Sequence, residues 1–206
     1  MSAATEPPRA RARNRRGEGG RLRAEILAAA AELLDAGGDP RSVTLRAVAR
    51  RAGITASSIY PHFDGRPALM LQVLRQAFAE LSALIRSALD TAGDDPQDRL
   101  NTVCLAYLDF ARDHPERYRV MFGGTGAPLA TAGDPGPLGE EAMRILAGCL
   151  ADCRAAGHCT STDPAADAVA LWLGLHGLAH QRAVAPSFPW PADIGRRVAF
   201  PLSHLT

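Results

Sequence analysis

Lysine is missing from this chain of 206 residues, whose 23 basic residues are all arginine. No Schiff-base, P-loop or kinase-type lysine exists, and the enzyme classes that need one are excluded. Aromatics reach only 5% and β-branched residues are thin, while Ala and Leu recur throughout, a balance that favours helix over sheet. The four cysteines, 104, 149, 153 and 159, do not form the disulfide framework of a small secreted domain. Long hydrophobic runs are also lacking. The stretch 26–34 is interrupted by Glu32 and has no cleavage site, and 165–179 carries Asp167 and His176 and is too short to span a bilayer. The expectation is a cytoplasmic protein with no membrane association. No Ser/His/Asp or paired-carboxylate arrangement is readable, so the chain is not expected to be an enzyme or to carry a cofactor.

What is present describes a folded helical protein. Apolar residues make up 47% and charged residues 22%, the range of chains that bury a core. The net charge of +1 hides an asymmetry: residues 1–67 hold 12 Arg against 7 acidic residues, and the remainder holds 11 against 15. A basic N-terminal third on a slightly acidic body is a common layout for a small nucleic-acid-binding domain joined to a second module. A solvated Arg-rich leader alone would give the same excess.

Residues 1–20 read as a flexible basic arm, 21–67 as one domain and 68–206 as another. From Arg21 an apolar stripe of Leu22, Ile26, Ala30, Leu33 and Leu34 predicts a helix that ends at Gly37-Gly38, followed by a turn at Asp39-Pro40. Thr44 caps a second helix through Ala52, Gly53 stops it, and Thr55 caps a third, with Pro61 near its end. A long amphipathic helix is predicted over 67–89. Further helices are expected at 97–113, 115–122, 138–156, 163–184 and 191–200, with loops at 123–139 and 186–191. The predicted fold is all-α.

The strongest signal is TLRAVARRAGITASSIYPHF at 44–63. Two short helices meet at a sharp turn when a small residue, here Ala49, lets the backbones cross and a glycine, here Gly53, supplies a positive φ. Ile54, Ile59 and Phe63 dock the second helix on the first. Its outer face, Thr55, Ala56, Ser57 and Ser58, is short and polar, as insertion into a DNA major groove requires.

Over 21–74 the chain closely resembles the DNA-binding domain of TetR-family transcriptional regulators. The resemblance covers the first helix, the Ala-x3-Gly turn, the Tyr-x-His-Phe stretch and the start of the long helix. It implies an N-terminal three-helix helix-turn-helix domain followed by a C-terminal helical bundle for ligand binding and dimerisation. Thr44 and Arg46 would approach phosphates or base edges, Thr55, Ala56, Ser57 and Ser58 would face the major groove, and Tyr60 and His62 would reach the sugar–phosphate backbone. Arg66 stands where the family usually has a lysine, which retains a phosphate contact. Pro61 replaces a basic or aromatic residue, so the recognition helix is expected to stop early.

Leu171-Trp-Leu-Gly-Leu-His-Gly177 is similar to the Trp-x3-His-Gly signature of one subclass of these C-terminal domains. An effector pocket there would draw on Leu105, Leu108, Phe110, Tyr118, Met121, Phe122, Met143, Leu146, Leu150, Trp172 and His176, and its lining implies a small apolar effector. Leu171, Gly174, Leu175, Leu178 and Ala179 are expected to form the dimer contact, in a four-helix interface with the helix after Pro191. The resemblance thus implies a ligand-responsive homodimer, a repressor that binds a palindromic double-stranded operator and is released by its effector. A second reading of the same scaffold is a thiol redox or metal sensor using Cys149, Cys153 and Cys159. His176 and His180 share a helical face as metal ligands would, but no third ligand is evident and no metal site is expected.

Overall fold

A computed structural model describes residues 19–36, 39–123 and 138–206. Within them the helical periods become eight α-helices: α1 Gly19–Asp35, α2 Leu45–Ala52, α3 Gly65–Thr91, α4 Pro96–Asp113, α5 Pro115–Phe122, α6 Glu140–Ala155, α7 Pro164–Val184 and α8 Ile194–Leu202. Two single turns of 3-10 helix, Pro40–Ser42 and Ala56–Ser58, complete the described elements. Residues 1–18 of the arm expected over 1–20, the Gly37-Gly38 stop and residues 124–137 of the loop expected over 123–139 lie outside the described residues, while residues 19–20, expected in the arm, already belong to α1. Contacts divide the chain within α3, between Val73 and Leu74.

The first unit is built from local signals. Asp39 accepts a bond from the Arg41 amide at 2.8 Å and starts the first 3-10 turn. Thr44 caps α2 by accepting from the Ala47 amide at 3.2 Å, a contact worth about 1 kcal/mol. Gly53 closes α2 at φ +66°, its amide bonding back to Ala49 and Arg50, a conformation that costs an L side chain most where it is β-branched. Below these turns Ile26, Ala30, Leu34, Val43, Val48, Ile59, Phe63 and Leu69 form the core.

The third helix of the sequence reading is shorter than expected. Only Ala56–Ser58 is helical, as a 3-10 turn, and turns continue to His62. Pro61 explains this: it has no amide to bond the Ser57 carbonyl, and its ring crowds that carbonyl in an α-helix. The backbone instead closes through Ile59, whose carbonyl accepts from His62 at 2.9 Å and Phe63 at 3.0 Å.

The second unit packs α4, α6 and α7 against one another, with α8 on α7 and α4. Asp95 caps α4 through the amides of Gln97 and Asp98, and Asp163 caps α7 through those of Ala165 and Ala166. Both helices carry Pro at the first position, where no amide is needed. Leu81, Ile85, Leu100, Leu150, Leu171 and Leu175 are its most deeply buried large side chains. The chain's C-terminus is tied by one antiparallel bridge, Cys159 to Leu205, with amide bonds from Thr160 to the His204 carbonyl and from Thr206 to the His158 carbonyl. Among the described helices α3 is long and apolar enough to cross a membrane by length and composition. Leu69, Val73, Leu74, Ala77, Phe78, Leu81 and Ile85 run along it as a buried stripe, the pattern of a helix that supplies a protein core.

Candidate nucleic-acid interface and effector cavity

In the first unit Thr44, Arg46, Arg50, Thr55 and Ser57 are exposed, and Tyr60 is exposed over 62% of its surface. Ala56, Ser58 and His62 are half-buried. The hydroxyls of the turn already interact: Thr55 Oγ1 lies 2.9 Å from both Ser57 Oγ and Ser58 Oγ. This cluster organises a short hydroxyl surface that still has lone pairs and rotatable protons to offer a base edge or a phosphate.

Arg66 is placed differently from the sequence expectation. Its Nε donates to the Val43 carbonyl at 2.9 Å and its Nη2 to the Pro40 carbonyl at 2.6 Å. The guanidinium therefore holds the segment leading into α2, and its role in the fold is that of a clamp. Sequence reading missed this because a cation opening a helix next to a DNA-binding motif looks the same whether it meets a phosphate or a carbonyl. Arg51 is likewise engaged, at 2.6 Å from Glu32 of α1, and Arg23 stacks over the Phe63 ring at 4.9 Å.

The second unit contains a cavity of about 650 Å3. Phe78, Leu81 and Ile85 of α3, Val103 and Tyr107 of α4, Phe122, and residues of α6 and α7 line it. Of the residues named from sequence, Phe122, Met143, Leu146 and Trp172 lie on its wall. Tyr118 and His176 do not line it but bond to Tyr107, which does. Leu150, Phe110 and Met121 are buried core, and Leu108 faces α8, where a Cβ on Gly195 would sit 2.9 Å from Leu108 Cδ1. Leu105 is 44% exposed. The buried face of α4 runs through Leu100, Val103, Tyr107 and Phe110, so Leu105 falls outside that stripe. The contributions of α3 and of Tyr107 were missed. The available signal was a tyrosine inside an apolar helical stripe, whose hydroxyl needs a partner once buried.

That partner is a chain of polar groups. The Tyr107 and Tyr118 hydroxyls are 3.0 Å apart, and the Tyr118 hydroxyl lies 2.6 Å from His176 Nδ1. Burial, reinforced by the neighbouring Tyr118, raises the Tyr107 phenol, and burial pushes Tyr118 up to about 12. Burial and then His180 lower the His176 imidazole. At neutral pH both phenols keep their protons and His176 is neutral, so the tautomer of the imidazole decides whether Tyr118 Oη or His176 Nδ1 donates in the bond between them. The rings of Trp172 and Phe122 stand 5.4 and 4.8 Å from His176. The Trp-x3-His spacing thus brings both side chains to one aromatic cluster.

On α7 the residues expected at a dimer contact turn inward. Leu171, Leu175, Leu178 and Ala179 are at most 6% exposed within the single subunit. Gly174 meets α8 of its own chain: a Cβ there would lie 3.1 Å from Val198 Cγ1 and against Leu202. The close helix approach expected of Gly174 is real, but the neighbour belongs to the same subunit. The exposed face carries Ala166, Val169, Ala170, Leu173, Gly177 and Val184, with His180 and Gln181 exposed beside them; Leu173 is 55% and Val184 61% exposed.

All four cysteines are buried and free. Burial and then Cys149 push the Cys104 thiol up to about 12, and burial and then Cys159 push Cys153 up to about 11. Burial and then Asp152 raise Cys149. Thiols raised by burial, as Cys149 and Cys153 are, are poor nucleophiles, which weighs against a redox role for these two.

Residues 100–205 match the family described as "Tetracyclin repressor-like, C-terminal domain", and residues 26–73 match "Bacterial regulatory proteins, tetR family". The HTH-type transcriptional activator FasR of Mycolicibacterium smegmatis is 33% identical over 101 residues, 48% of this chain and 45% of that protein. The HTH-type transcriptional regulator Rv1816 of Mycobacterium tuberculosis is 29% identical over 145 residues, 68% of this chain and 58% of that protein. The chain thus spans about half the length of the curated relatives it matches. Among solved structures, a protein of unknown function from Rhodococcus sp. RHA1 superposes with a TM-score of 0.77 at 25% identity, covering 92% of this chain and 97% of that one. The TetR-family regulator PfmR from Thermus thermophilus has the same fold, with a TM-score of 0.63 at 19% identity over 86% of this chain and 96% of that one.

Proposed function

Because the chain belongs to the TetR family of bacterial regulatory proteins, we propose that it is a cytoplasmic, ligand-responsive repressor. It binds a palindromic operator as a homodimer and is released by a small apolar effector. The observation that carries the DNA-binding part is the capped turn between Thr44 and Tyr60. Thr44 and Gly53 fix α2, and the segment leaves Thr44, Arg46, Thr55, Ser57 and Tyr60 exposed. In this reading the Ala56–Ser58 turn enters the major groove, with Thr55, Ala56, Ser57 and Ser58 at base edges. Arg46, Tyr60 and His62 position it on phosphates. Arg66 acts indirectly, by holding the entry to α2.

The homodimer is supported by the exposed face of α7. Ala166, Ala170, Leu173, Gly177 and Val184 lie along it, and α8 adds Phe200, 48% exposed. A helix with one apolar stripe in its own core and a second left to solvent is suited to an isologous contact with a second copy. The cavity in the second unit supports the ligand-responsive part. An effector that binds the low-affinity state better shifts the population away from the operator.

Selection of genomic fragments on the full-length protein, followed by footprinting, tests this reading. The expected result is a palindrome whose half-sites lie one helical turn apart or a multiple of it, occupied by two subunits. Retention with no sequence preference at physiological salt would remove the operator from the proposal.

A further inference from the structure

We propose that the cavity of the second unit takes an uncharged molecule with a largely hydrocarbon body, and not a carboxylate or an ammonium. This names the chemical class of the effector and rests on the reading of the cavity as the effector site.

The first observation is the source of the space. Ala142, Ala147 and Ala165 stand at wall positions, and Leu81, Met143 and Trp172 bound what they leave open. Such a wall attracts apolar surface in proportion to the area it removes from water. The second is the state of the polar wall group. The Tyr107 hydroxyl is paired with Tyr118 at 3.0 Å, and Tyr118 is paired with His176 at 2.6 Å. A ligand that took Tyr118's place would leave a buried donor or acceptor without a partner, so the wall does not reward a ligand that competes for the bond. The third is charge. The two charged residues on the described wall, Glu140 and Arg144, are one of each sign and meet each other at 2.7 Å. Nearby, Arg86 of α3 and Glu141 of α6 meet at 3.2 Å. Both pairs are largely exposed to solvent, so an ionised head group drawn into the apolar interior would give up its hydration with no charged side chain on the buried wall to meet it.

The test uses the full chain without DNA and three probes of equal length at about pH 7.5, where the acid and the amine are both ionised: 1-decanol, decanoate and decylammonium. Binding is read from the emission of Trp172 in a Trp190→Phe background and from the shift in unfolding temperature. Decanol is expected to saturate, with affinity rising about fourfold per methylene across the shorter alkanols. Decanoate and decylammonium are expected at least about tenfold weaker, the cost of desolvating an ion without a partner. Ala147→Leu, which extends a larger side chain into the space, is expected to abolish decanol binding while its circular dichroism stays native. Ala142→Leu serves the same purpose where Ala147→Leu lowers folding. Equal or tighter binding of either ion, or saturation by none of the three, overturns the proposal. Loss of operator recognition leaves this measurement intact, and a preference for decanoate overturns the ligand class without touching operator recognition, so the two failures are distinguishable.

Discussion

The two units of this chain are stabilised in different ways. The first is a run of short elements held by individually identifiable bonds: the Thr44 cap, the Gly53 corner and the Arg66 clamp on Val43 and Pro40. The second is a bundle of longer helices in which alanine and leucine are repeated on several faces, and what matters is which face each one occupies. A single polar atom decides geometry in the first. In the second, moving by one or two residues along a helix leads from core to cavity wall to solvent, as Leu105 and Tyr107 on α4 illustrate.

The sharpest way to break the contrast is on α7, where neighbouring leucines have opposite environments. Leu175→Ala removes a side chain that is 1% exposed and is expected to cost about 2–5 kcal/mol in urea unfolding. Leu173→Glu, at a position 55% exposed, is expected to leave helicity unchanged and to shift sedimentation from dimer to monomer. An intact dimer in Leu173→Glu would remove this face of α7 from the contact.

In the first unit a substitution acts through backbone geometry. Gly53→Val forces a β-branched residue to φ +66° and is expected to cost about 1–3 kcal/mol. Its unfolding midpoint and operator affinity should fall together. Thr44→Ala removes one capping bond and is expected to cost about 1 kcal/mol. If Thr44 also meets DNA, operator affinity falls by more than the loss of folded protein accounts for, which titration at two temperatures separates.

The smallest expected effect is a pH dependence in the second unit. Because the folded-state value of His176 lies below its ordinary one, the unfolded chain binds the proton more readily. Its stabilising contribution is complete above about pH 6.5 and is lost as pH falls through the folded value. Between about pH 7 and 5, the window that brackets an ordinary imidazole, the unfolding midpoint of wild type should fall more steeply than that of His176→Gln. Identical slopes would mean that the imidazole does not titrate differently in the fold.

These contrasts also explain what the sequence made legible. Thr44 and Gly53 announce helix ends because capping chemistry is local, whereas the caps at Asp95 and Asp163 emerge only in the structure, although the helices they open begin near the expected residues. Pro61 announced an early stop, yet the shortening to one 3-10 turn depends on how Ile59 receives two amides, a matter of backbone closure. The aromatic cluster around His176 was partly visible through the Trp-x3-His spacing. The α3 side of the cavity wall was not, because Phe78, Leu81 and Ile85 differ in nothing but their facing from ordinary core residues. Likewise Gly174 signals close approach without saying which helix approaches.

The central claim is that occupancy of the second unit's cavity controls what the first unit does on DNA. The direct measurement is fluorescence anisotropy of a labelled operator titrated with full-length protein, with and without saturating 1-decanol, for wild type and Ala147→Leu. Coupling of the usual size, roughly 5–150-fold, predicts that decanol weakens wild-type operator binding within that range and leaves Ala147→Leu within about twofold of its own unliganded value. Decanol that binds wild type yet leaves operator affinity unchanged would contradict the account.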